Sequence, residues 1–182
     1  MESHRLDLRE VRASDSSKQM TAAQSLIRKM VGSGDTVLAT HALTFLGYYP
    51  DPSLRQHLLK RRSSLGNSWP ETQLRLSIDT YLSKIGDKSG QSALIGYLLD
   101  ADANVRARAY RALRDIDPEN FPSATRKHVR ERLIQAGESE QDPVGQSAAN
   151  SALACWDSAN AHRHIAKLRM AATSSSDSGS LR

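Results

Sequence analysis

An all-α chain built from repeated helix pairs is the fold the sequence predicts, and three observations predict it. The apolar residues make up 38% of the 182, but only two Phe, two Trp and five Tyr are among them. A core made mainly of Leu, Ala, Ile and a few Val suits closely packed helices better than sheets. Apolar spacing, read with start and stop signals, gives about eight helical segments separated by short breaks. Finally, four of those segments match one another, and a fixed internal pattern signals a repeat architecture.

In chain order, the first helix is expected from Ser17 to Val31, with Leu26, Ile27, Met30 and Val31 on one face and Gly32 and Gly34 ending it. The second begins at Asp35 and runs through Leu38, Ala42, Leu43 and Leu46 to a stop around Gly47 to Pro50. Asp51 before Pro52 starts a third, since aspartate caps well and proline at the first helical position loses no bonded N–H. Ser68 with Pro70 starts the fourth, Ser89 the fifth, Asp102 the sixth, Ser123 the seventh, and Asp142 with Pro143 the eighth. Short breaks make sequence neighbours antiparallel. Residues 1–16 read as a polar arm or cap, 17–172 as the repeat domain with a long last helix to about Ala171, and 173–182 as a Ser-rich tail with the composition of disorder.

The clearest copy of the pattern is Val105-Arg106-x-x-Ala109-x-x-Ala112-Leu113-x-x-Ile116, and a second reads Leu74-Arg75-x-x-Ile78-x-x-Tyr81-Leu82-x-x-Ile85. Ala39-x-x-Ala42-Leu43-x-x-Leu46 and Ala149-x-x-Ala152-Leu153-x-x-Trp156 keep the small-small-large-large order without the leading Val-Arg. Equivalent positions 39, 78, 109 and 149 are 39, 31 and 40 residues apart, which are helix-pair spacings. One pair cannot bury its apolar face alone, so pairs stack and the end pairs become atypical.

This pattern resembles the HEAT and armadillo-like families, most closely the short bacterial HEAT-like repeats. Their second helix carries a Val-Arg-x-x-Ala-x-x-Ala-Leu core behind an aspartate-bearing turn, as in Leu98 through Ile116 here. The resemblance covers about residues 17 to 157 and implies an α-solenoid of about four stacked antiparallel pairs whose usual work is binding, not catalysis. It also implies a ladder between a turn Asp and the helix Arg, for which Arg75 and Arg106 are retained.

In the resembling families the second helix of each pair lines the inner surface. Counting about 100° per residue from the core set puts Ala107, Arg111 and Arg114 on the opposite face of the third pair. The equivalents are Leu76, Thr80 and Ser83 in the second pair, Val37, His41 and Thr44 in the first, and Ser147, Ser151 and Ala154 in the fourth. A partner-binding face is expected at Leu76, Thr80, Arg111, Arg114 and His41: one apolar point and two guanidinium groups among small side chains, suited to another protein's acidic peptide or helix.

A nucleic-acid-binding repeat is the alternative. The net charge is +5, and residues 106–132 hold eight Lys or Arg against four Asp or Glu, with Arg108, Arg126, Lys127 and Arg130 as the phosphate-binding candidates. Stacking aromatics are not interleaved with them, and Lys60-Arg61-Arg62 sits at a helix C-terminus, where cations complement the dipole without any partner.

Catalytic signals are thin. The histidines at 4, 41, 57, 128, 162 and 164 show no HExxH spacing, so no metal and no cofactor is expected. The lone Cys155 cannot form an internal disulfide or by itself a thiolate metal site, and its setting reads as a buried small residue. No stretch approaches the ~18 apolar residues of a membrane span, and MESHRLDLRE has no signal-peptide apolar region, so a cytoplasmic, non-enzymatic, membrane-free protein is expected. If the repeat register is right, Leu82→Ala or Leu113→Ala costs about 2–5 kcal/mol, because each truncates a large core residue; an unchanged denaturant midpoint would displace the register.

Overall fold

The computed structural model describes residues 25–48 and 50–157, and among them every regular element is helical. Residues 25–32 are helical, followed by α1 (Thr36–Leu46), a 3₁₀ turn (Pro52–Leu54), α2 (Arg55–Ser63) and α3 (Trp69–Lys84). Next come α4 (Lys88–Tyr97), α5 (Ala103–Arg114), a second 3₁₀ turn (Pro118–Asn120), α6 (Ser123–Ser139) and α7 (Pro143–Trp156). None of the described helices is long and apolar enough to cross a membrane. The expectations for the arm, for the first turns of the first helix, for the extension to Ala171 and for the tail lie outside the described residues.

Aspartate starts most of these elements. Asp35, Asp51, Asp87, Asp102, Asp117 and Asp142 each accept from an N–H of the first turn that would otherwise lack a partner. The start expected at Ser89 moves two residues earlier: Asp87 Oδ1 takes both the Ser89 and Gly90 N–H groups, and the Ser89 hydroxyl donates to the same oxygen at 2.6 Å. Ser68 works through Glu71, whose carboxylate accepts from the Ser68 and Gly66 N–H groups at 3.2 and 3.0 Å.

The chain groups into two compact units that meet within α3, one ending at Ser77 and one starting at Ile78. In the first, Val31, Ala39, Ala42, Leu43, Leu46, Leu54, Leu58 and Leu74 are buried. Arg28 Nε donates to Asp51 Oδ2 at 2.9 Å, and Arg75 donates to the Leu65 and Gly66 carbonyls. The Ser53 hydroxyl bond, with Arg28 beside it, holds the Asp51 carboxyl below its ordinary range.

In the second unit α5 packs chiefly on α7, α6 also packs on α7, and α4 touches α5. Arg106, near the start of α5, pairs with Glu140 just before α7, while the Leu113 carbonyl near the end of α5 accepts from the indole N–H of Trp156, the last residue of α7. Starts meet and ends meet, so α5 and α7 run parallel. α6, tied to α7 by a short link, runs back beside it.

The register read from the pattern holds in burial. Ala39, Ala42, Leu43 and Leu46, then Ile78, Tyr81 and Leu82, then Ala109, Ala112, Leu113 and Ile116, then Ala149, Ala152, Leu153 and Trp156 are all buried; Ile85 is half-buried. Gly86, with φ +79°, ends α3 through an N–H bond from Asp87 to Leu82 O. Four residues on, Gly90 meets α3 so closely that an added Cβ would stand 2.5 Å from Leu82 Cβ and 2.9 Å from the Asp79 carbonyl oxygen. Gly90→Ala therefore overpacks this crossing and is expected to cost about 1–3 kcal/mol, read as a lowered denaturant midpoint.

Candidate functional site: the groove between α5 and α7

The buried faces of α5 and α7 are rich in alanine: Ala107, Ala109 and Ala112 on one, Ala148, Ala149 and Ala152 on the other. Small residues allow close approach, so side chains flanking the seam stand over a shallow trough. The result is a groove of about 350 Å³ lined by Arg111, Arg114, Pro143, Val144, Ser147, Ala148 and Ser151. On the far side of α7, Pro143, Ser147 and Ser151 are shared with a second depression of about 450 Å³ that adds Gln146, Asn150 and Ala154. The exposed side of α7 is thus a low ridge with a trough on each flank.

The two arginines differ in commitment. Arg114 Nε donates to Asp115 Oδ1 at 2.8 Å, and that bond raises the arginine's pKa; both side chains are about half exposed. Arg111, also exposed, has no hydrogen bond or ion pair with any described residue. The Ser151 hydroxyl donates to Ser147 O at 2.9 Å, so its donor is spent on its own helix. Val144, in the first turn of α7, is 53% exposed and gives the groove an apolar end.

Of the five partner-binding residues expected from sequence, this groove contains Arg111 and Arg114. Thr80 is half-buried on α3 in the same unit, whereas His41, exposed on α1, and Leu76 belong to the first unit. Leu76 requires a correction: at 7% exposure it is buried packing, not an apolar point open to a partner. Ala107 and Ser83, expected on the same outward face, are buried too. A helix that packs on more than one side has a narrow exposed sector, and positions 100° from the core set fall inside the packing. Val144 and Pro143 were missed. Their only sequence signal is their place in the first turn after the Asp142 cap.

The basic stretch pairs off locally. Arg126 bonds Glu119, Lys127 lies 4.0 Å from Glu131, and Arg130 lies 4.0 Å from Asp157. Arg108 is half-buried and also engaged, and Arg132 donates to Gln135 at 3.1 Å.

Arg106 and Glu140 form an ion pair largely closed off from solvent. Arg106 Nε and Nη2 each donate to a Glu140 oxygen at 2.7 Å, and its Nη1 donates to the Asp100 and Ala101 carbonyls at 2.7 and 3.0 Å. The Glu140 side chain is 4% exposed and the Arg106 bond holds its carboxyl below the ordinary range, with burial opposing. The ladder expected between a turn aspartate and Arg106 is not formed by Asp102, which caps Asn104; the carboxylate that Arg106 meets is Glu140, just before α7. A cleft of about 310 Å³ beside the pair is bounded by Leu99, Tyr110 and Arg132. With its guanidinium so committed, Arg106 fastens two turns and is not a ligand-binding group.

Cys155 is a second correction: it is exposed, one residue off the buried stripe that ends at Trp156. Trp156 fills its core slot, edge-on to Phe121 with ring centroids 5.1 Å apart. Among the described residues no three His, Cys, Asp or Glu side chains converge to hold a metal ion. The sequence matches no protein-family model and no curated protein.

A pH dependence follows from the clasp. A carboxyl held low in the folded state stabilises fully above its unfolded pKa of about 4.3 and loses that contribution as pH falls through the lower folded value. Glu140→Gln should cost about 1–3 kcal/mol at pH 7, with the gap to wild type closing below about pH 4. A gap independent of pH in denaturant titrations would show that the charge of Glu140 does not matter.

Proposed function

We propose that the protein is a non-enzymatic binding module of the HEAT-like kind, a run of stacked helix pairs that recognises another protein across the α5–α7 face. The observation that carries this reading is Arg111: an exposed guanidinium with no described partner, over a groove of small side chains between two equivalent helices of adjacent repeats. Support for the architecture comes from the repeat register, whose positions are buried in all four copies save the half-buried Ile85, and from α5 and α7 running parallel, as successive inner helices of a solenoid would. Against the nucleic-acid reading stand the carboxylates beside Arg126, Lys127 and Arg130, which lower the local positive field a phosphate backbone would meet.

Affinity purification of the tagged chain, with and without nuclease, tests this. A protein partner that survives nuclease and is lost on Arg111→Glu/Arg114→Glu is the expected outcome, because like charges then face each other across the interface. Both side chains are exposed, so the variant's thermal transition should stay close to wild type. Recovery that depends on nucleic acid, or steeply salt-dependent gel shifts with generic DNA or RNA, would favour the alternative.

A further inference from the structure

We infer that the occupant of the α5–α7 groove is an acidic α-helix with a narrow face, bearing two carboxylates one turn apart. This deepens the proposed function and rests on it. Arg111 and Arg114 are three residues apart on α5, so their guanidinium groups rise from adjacent turns, about 5 Å apart along the axis. Carboxylates at i and i+3 or i+4 of a helix have the same spacing. Among the described residues no acidic side chain lines the groove or the depression beside it, and Asp115, which follows α5, bonds Arg114. Arg111 therefore lacks a counter-ion among the described residues, and a negative partner supplies one.

The remaining lining determines the partner's shape. Ser147, Ala148, Ser151 and Ala154 raise no bulky side chain, so the ridge admits a backbone at close range and favours a partner with Ala, Gly or Ser at its contact face. A partner carrying large anchors would find no deep socket: among the described lining residues Val144 is the one large apolar side chain. The recognition pattern is thus acidic on one edge of the helix and small in the middle.

The test is selection from a library displayed on a monomeric helical scaffold with its exposed face randomised, using the full chain as bait and Arg111→Glu/Arg114→Glu as a second bait. Wild type should enrich sequences with Asp or Glu spaced three or four apart beside small residues. The double variant should bind those clones at least about tenfold more weakly and enrich Lys or Arg at the same positions. Ser151→Trp, at an exposed site that leaves the core untouched, should block the wild-type clones by filling the trough. Clones without an acidic pair that are still blocked by Ser151→Trp would overturn the acidic-helix inference while leaving the groove as a binding site. Clones indifferent to both variants, or no enrichment at all, would overturn the groove reading as well.

Discussion

The second unit depends on α5 and α7 being pinned in parallel at both ends. At one end the Arg106–Glu140 pair closes over the turns that start the two helices; at the other, the Trp156 indole donates to the Leu113 carbonyl at 2.8 Å inside the core. Each bond is of a kind that is costly to leave half-made, one because a buried carboxylate would lose its counter-ion and the other because a buried carbonyl would lose its donor. Sliding one helix past the other would break both together. Alanines fill the seam between the pins, and dispersion contacts between closely approaching backbones depend on that alignment. The position of Arg111 beside Ser147 and Ser151 is a consequence of that parallel alignment.

Local chemistry is what the sequence makes legible. Aspartate before a helix caps through atoms within three residues, so Asp35, Asp51, Asp102 and Asp142 could be recognised without knowing anything distant. The misplaced start at Ser89 arose where two cap-forming residues stand two apart and the carboxylate outcompetes the hydroxyl, which donates to it instead. The small-small-large-large pattern located the core because burial on a helix is periodic. It failed at Leu76, Ala107 and Ser83, where the question was which of several packed sides a residue faces. Period alone carries no information about how many neighbours a helix has.

Pairings across distant segments were the illegible part. Glu140 stands 34 residues from Arg106, and nothing in the composition of its neighbourhood distinguishes it from Glu138. The basic character of residues 106–132 was equally misleading as a count. Arg106, Arg126, Lys127 and Arg130 all lie near acidic groups, three of those groups supplied from outside the residue's own helix: Glu140, Glu119 and Asp157. A stretch can be basic in sequence and nearly balanced in space, because a turn brings carboxylates back over it. Arg111 escapes that balance although it sits in the last turn of α5, because the acidic residue that follows the helix, Asp115, bonds Arg114 instead.

That placement also bears on what binding would cost. Every described lining side chain other than the two arginines and Gln146 is short or stiff, so little rotamer freedom would be lost there on binding. Arg114 is already partly held by Asp115, which leaves Arg111 as the long side chain that must be ordered. Interfaces are not strong in proportion to their area; they are strong when the ordering cost is small and a few groups are well matched. A groove held by pinned helices, floored with alanine and serine and edged by one committed and one uncommitted guanidinium, meets the first condition through its packing. Under the proposed function the second condition would fall to a partner's carboxylates, and affinity at this face would be set more by charge placement than by buried apolar area.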